Sequence, residues 1–119
     1  MLRTSLKIGD VFSNPVVSSD KLKYLLDLEQ DSKSGRGKAK FFSSLGFSFD
    51  NPDQFIEFIK SHPVPSRFEK EKDDKRGKKL VFLCNINTPF GKEVCIRSVW
   101  QIDKGKKRPR LLTAYPRKQ

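Results

Sequence analysis

LVFLCNINTPFGKEVCIRSVWQI, residues 80–102, is the stretch on which the fold turns. Leu80 to Asn87 and Lys92 to Ile102 are strand-like runs. Between them Thr88, Pro89, Phe90 and Gly91 put proline and glycine where a type I turn with a glycine bulge wants them. In that bulged register Leu80, Phe82, Cys84 and Ile86 share a face with Val94, Ile96, Trp100 and Ile102, a coherent surface to bury. Alternation along the pleat sends Asn85, Asn87, Glu93, Cys95 and Arg97 to the opposite face. Cys84 and Cys95 are therefore expected to point apart, which disfavours a disulfide. A basic turn from Lys104 to Arg108 leads to a last strand, about Arg110 to Tyr115, which Pro116 ends.

Upstream of the hairpin the signals are helical. Ser19 is a candidate N-cap for a helix over about 20–28 with Leu22, Leu25 and Leu26 as its apolar stripe. The polar segment Glu29 to Gly37 reads as a connection into a short helix carrying Lys38 to Phe42 and Leu45, with Gly46 as its C-cap. Asn51 and Pro52 form an N-cap and first-turn pair for a third helix, whose face is Phe55, Ile56, Phe58 and Ile59 before Pro63 stops it. Residues 63–79 are prolines and then mixed charges. They predict a solvated loop, with an edge strand near Phe68 as the alternative, and an exposed basic turn at Lys75 to Lys79.

Helices followed by strands, with no internal repeat, predict an α+β class: three N-terminal helices on one face of an antiparallel sheet of about four strands. The 119 residues are expected to form a single domain. Within it, 1–18 is irregular, 19–62 the helical half and 66–116 the sheet half.

With 25 Lys and Arg against 14 Asp and Glu, the formal net charge is +11, so a polyanionic partner is expected, RNA first. No apolar run is long enough to span a membrane and Met1 to Asp10 lacks the run of a secretory signal, so the expectation is a soluble cytoplasmic protein with no membrane partner. Two cysteines and one histidine, His62, are too few for a structural zinc site; no metal and no cofactor are expected.

The candidate chemistry rests on cations. Ser34 to Ala39 places Arg36 and Lys38 in a glycine-rich run at a helix start, where backbone amides attract phosphate, although its spacing is not that of a nucleotide-binding loop. Lys38, with Arg36 and Lys40 near it, is expected to have a lowered pKa through like-charge repulsion. Arg97 on the open sheet face needs an anion or an ion pair with Glu93 or another acid, and Asn85 is its neighbour. Thr113 and Tyr115 share one side of the last strand. The expected catalytic set is Lys38, Arg97, Thr113 and Tyr115, with Glu93 as a reserve base; Arg36, Lys40, Asn85 and Arg110 are the expected RNA contacts. His62, before Pro63, reads as a helix-end residue and Trp100 as core.

The strings GRGKAKFF (35–42), VWQID (99–103) and PRLLTAYP (109–116) resemble an uncharacterised prokaryotic domain family with a GRxKAxFF element and a closing TAYP. The resemblance covers about 22–116 and implies no established activity. The order of helices before sheet, with a terminal Thr and Tyr strand, is similar more distantly to the barnase, EndoU, colicin and RelE-like ribonuclease toxins. That similarity implies a metal-independent endoribonuclease of toxin type, acting through attack of the RNA 2′-hydroxyl, with an acidic inhibitor or antitoxin as partner. Where relatives are expected to have a histidine just before GRxKA, this chain has Gln30 and Asp31. The alternatives are a non-catalytic RNA-binding module and a protein-interaction domain, such as a toxin–antitoxin or immunity component or an adaptor.

Overall fold

A computed structural model describes residues 8–117 of the chain. The fold is α+β, with helices α1 (Ile8–Val11), α2 (Ser19–Leu26), α3 (Lys33–Ser44) and α4 (Pro52–Lys60) ahead of the sheet. A 3₁₀ turn (Pro65–Arg67) follows, then strands β1 (Phe68–Asp74), β2 (Gly77–Asn87), β3 (Glu93–Asp103) and β4 (Arg110–Pro116). The strands form one antiparallel meander in the order β1-β2-β3-β4.

The central hairpin has the predicted register, Leu80 opposite Trp100 and Ile86 opposite Val94, with Gly91 at φ +86° closing the turn. Its inner face meets the helices. Leu22, Leu25, Leu26, Phe42, Phe55 and Ile59 pack with Leu80, Phe82, Ile86, Ile96, Trp100 and Leu111 in one apolar cluster. Phe12 adds edge-to-face contacts to Phe82 and Trp100, an arrangement that aromatic quadrupoles favour.

Four expectations need correction. The segment before Ser19 contains the short helix α1, and the N-cap of α2 is Ser18, whose hydroxyl accepts from the Lys21 amide at 3.2 Å. The reading of residues 1–7 as irregular, and of a signal-free N-terminus, lies outside the described residues. Helix α3 begins at Lys33, so the Gly35–Lys38 run is helix and not connection; Ser32 caps it by accepting from the Gly35 amide at 3.0 Å. Two glycines weaken a helix but do not forbid one when the cap and the packing compensate.

Residues 68–74, expected as a solvated loop with an edge strand near Phe68 as the alternative, are that edge strand. FEKEKDD offers no apolar alternation because β1 is an edge strand held by its backbone ladder, and charged side chains protect such an edge from further pairing. The basic turn shrinks to Lys75 and Arg76. Asp74 accepts from the Arg76 amide at 2.8 Å, and Gly77 has φ +140° where a Cβ would collide with the Ile102 carbonyl.

The fourth correction is covalent: Cys84 and Cys95 form a disulfide, their Cα atoms 3.9 Å apart. Strict alternation assumes β-region backbone at every residue. Cys84 breaks it with φ +76°, while Phe82 and Ile86 on either side remain buried against the helices.

Candidate functional site

Where α2, α3 and the open face of the sheet meet, five side chains form a continuous line. Lys38 on α3 donates from Nζ to the Tyr24 hydroxyl on α2 at 2.8 Å. Its ammonium lies 4.8 Å from the centre of the Tyr24 ring and 5.7 Å from that of the Tyr115 ring on β4, within cation–π range of both. Arg97 on β3, directly opposite Tyr115, donates from Nη1 to the Tyr115 hydroxyl at 3.3 Å and pairs through Nη2 with Glu69 on β1 at 3.2 Å.

The electrostatics of the line are asymmetric. The Tyr24 hydroxyl is held below its ordinary pKa, first by the Lys38 hydrogen bond and then by one from Ser34. Arg97 is held still more firmly cationic, first by the Tyr115 hydroxyl and further by Glu69. Two polar atoms of the same region, Arg97 Nε and Thr113 Oγ1, are buried with no hydrogen-bond partner among the described residues. Thr113 faces Val99, one row along the sheet from the Arg97–Tyr115 pair. An arginine fork, an ammonium and two phenols at one place are suited to gripping a phosphate and exchanging protons with it.

Three of the four expected catalytic residues, Lys38, Arg97 and Tyr115, are thus connected, and Thr113 is adjacent through the sheet register. The other expected positions divide. Asn85 is a diagonal neighbour of Arg97 in the β2–β3 ladder, and its carbonyl accepts from Arg67 Nε at 2.7 Å. Arg36 turns inward: its Nη1 donates to the Gln30 and Asp31 carbonyls at 2.7 and 2.9 Å, clamping the α2–α3 connection. Lys40 is exposed on α3. Residues two apart on a helix do not face each other, so Arg36 and Lys40 do not crowd Lys38 as expected. Arg110 lies at the far end of β4, engaged by Asp103 at 2.7 and 3.1 Å.

Glu69, not Glu93, is the acid that pairs with Arg97. It went unrecognised because its strand read as loop. The leucines of α2 mark its buried stripe and say nothing of Tyr24. The alternating charges of residues 69–72 are the one local sign of Glu69; nothing local marks Tyr24.

His62 is fully buried, as a structural residue. Its Nε2 lies 2.9 Å from the Cys84 carbonyl and its Nδ1 2.6 Å from Ser98 Oγ, whose oxygen accepts from Trp100 Nε1 at 3.0 Å. Because the carbonyl can only accept, Nε2 carries the proton, and Nδ1 accepts from Ser98. Burial first, and then the charge of Arg67, lowers its pKa to about 4.

The family model described as Domain of unknown function (DUF6883) matches residues 7–118. The chain belongs to this family. An uncharacterised domain family is what the sequence resemblance implied, and in this DUF6883 chain the match spans every element that carries the site. No protein of curated function matches it significantly in sequence. Its fold is similar to that of a chain in the contact-dependent growth inhibition toxin–immunity protein complex from Klebsiella pneumoniae 342. The TM-score is 0.68 at 18% identity, over 86% of this chain and 99% of that one. Among the described residues no helix of the DUF6883 fold is long and apolar enough to cross a membrane.

Proposed function

We propose that this DUF6883 domain is a metal-independent endoribonuclease of toxin type. The observation that carries the reading is the line Tyr24–Lys38–Tyr115–Arg97–Glu69, which puts two cations and two phenols together on the open side of a chain of net charge +11. RNA supplies its own nucleophile. The 2′-hydroxyl loses its proton and bonds to phosphorus, the bond from phosphorus to the 5′-oxygen breaks, and that oxygen takes up a proton, leaving a 2′,3′-cyclic phosphate. Arg97, oriented by Glu69, grips the non-bridging oxygens as charge builds on them. Tyr24, its phenolate favoured by Lys38, accepts the 2′-proton, and Tyr115 returns a proton to the departing oxygen. Thr113 adds a hydroxyl donor beside the phosphate.

The test is incubation of purified protein with total RNA and chelator. Wild type cleaves, while Arg97→Ala and Lys38→Ala each lose about 10²-fold or more with unchanged melting, as removal of one electrostatic stabiliser does. Intact RNA with wild type, or full activity in both variants, overturns the assignment.

The similar chain comes from a complex that holds a toxin and an immunity protein, so a second reading is a protein-interaction domain of the toxin–immunity kind. It predicts a stable complex with a cognate partner and no RNA product. Under the ribonuclease reading too, an inhibitor would present acidic groups to the Arg97 region.

A further inference from the structure

The open face of the sheet continues away from Arg97 toward the β1–β2 turn. Lys72 on β1 lies directly opposite Lys79 on β2, and Lys70 lies opposite Val81, one row nearer to Arg97. Like charges directly across an antiparallel pair repel and destabilise it. Flanking acids do not relieve that repulsion: Lys78, on the helix side of β2, holds Glu71 at 2.6 Å and Asp73 at 2.9 Å, and Asp74 accepts from the Arg76 amide. Among the described residues Lys70, Lys72 and Lys79 have no ion pair. Together with Glu71, whose carboxylate Lys78 holds, they line a depression of about 340 Å³ floored by Val81.

We infer that Lys70, Lys72 and Lys79 form a second phosphate subsite, and that the face between it and Arg97 is the track of a single-stranded RNA. The inference rests on the ribonuclease reading for what happens at Arg97, but not for binding. Lys79 is four residues along β2 from Leu83, the residue opposite Arg97, so the two cationic places are about 13 Å apart. That is about two nucleotide steps of a stretched strand. Between them lie Leu83 and Val99, partly exposed, with Val81 buried beside them, an apolar floor on which unstacked bases can lie, with Tyr115 beyond. A duplex keeps its bases stacked inside and leaves such a floor without a ligand. A single strand presents phosphates to the lysines and base faces to the valines.

The probe is a 2′-O-methyl oligouridylate of about twelve nucleotides, which binds but has no 2′-hydroxyl to attack. Its affinity for full-length wild type is compared with that of Lys72→Ala/Lys79→Ala across a salt series. The double variant is expected to bind about tenfold more weakly at low salt, with the slope of log affinity against log salt shallower by about 1.4, the single-strand value for two lost phosphate contacts. On cleavable RNA it loses activity on the long strand and retains it on a dinucleotide. Equal affinity and slope in the two proteins, no binding by wild type, or tighter binding of a duplex of the same length overturns the track. Weakened binding by the variant, with no cleavage by wild type, leaves the track standing and removes the ribonuclease reading.

Discussion

Gly35 and Gly37 stand two residues apart in α3 and should respond in opposite directions to an added methyl group. A Cβ at Gly37 meets nothing within 4 Å, so Gly37→Ala gains the ordinary helical advantage of about 1 kcal/mol. At Gly35 the Cβ would collide with the Gln30 amide and come within 2.8 Å of the Tyr24 ring. Gln30 cannot swing aside cheaply, because its Nε2 donates to the Tyr24 and Asp27 carbonyls, each at 2.7 Å, and so closes the end of α2. Gly35→Ala is therefore expected to lose about 1–3 kcal/mol, as overpacking does, and to displace Tyr24 from Lys38. Chemical denaturation of both variants checks the signs; a stabilised Gly35→Ala would show that the close approach of α2 to α3 is not tight. The glycine of the GRxKA motif thus serves the α2–α3 contact that sets the Tyr24–Lys38 pair, and its arginine serves the connection between the same helices.

Strands β2 and β3 are joined three times: by the turn at residues 88–92, by their ladder and by the Cys84–Cys95 bond, which closes a short loop with a sequence separation of 11. Closing a loop of that size stabilises the folded state by about 2–3 kcal/mol through the entropy of the unfolded chain. The left-handed backbone at Cys84, costly for a residue with a Cβ, offsets part of this. Reduction, or Cys84→Ala/Cys95→Ala, is expected to lower the melting temperature without unfolding the protein, since both strands keep their buried faces. Thiol titration of protein denatured without reductant should find neither of the two cysteines free. Two reactive thiols would refute the bond. Edge strand β1 lacks such a tie beyond its ladder, and Arg67 anchors its start by donating to the Asn85, Ser61 and His62 carbonyls.

Across the whole molecule, one buried polar chain stitches the helical half to the sheet. Trp100 donates to Ser98, Ser98 to His62 and His62 to the Cys84 carbonyl, linking the exit of α4 to β3 and β2. The bond from Ser98 to Nδ1 requires neutral imidazole, and burial holds the ring in that form. The folded pKa of about 4 lies below the ordinary 6.5, so between these values the unfolded chain binds more protons than the folded one, and stability rises with pH. Above pH 6.5 the neutral form prevails in both states and nothing is lost. As pH falls from 6.5 to 4, up to roughly 3 kcal/mol disappears. Melting temperatures across pH 4–7 should show that decline in wild type and a much flatter profile in His62→Gln, whose side chain at position 62 does not titrate. Equal slopes would assign the acid sensitivity to the carboxylates.

The helix stripes, the hairpin register at Gly91, the α+β order and the cationic character are legible in the chain, because each is written in neighbours or in short periods. Lys38, Arg97, Thr113 and Tyr115 were legible as candidates for the same reason: charged, hydroxyl or aromatic side chains on identifiable elements. The remaining contacts depend on residues far apart in the chain. Tyr24 joins Lys38 across 14 positions, Glu69 reaches Arg97 across 28, and Ser98 donates to His62 across 36. Edge strand β1 has no apolar alternation to announce it, since its stability comes from the backbone of β2. The left-handed turn of Cys84 that closes the disulfide breaks the two-residue period on which any strand reading relies. Local patterns specify which elements form and which faces they bury. Their docking alone specifies which polar side chains meet, because those meetings follow from where packed elements end up in space.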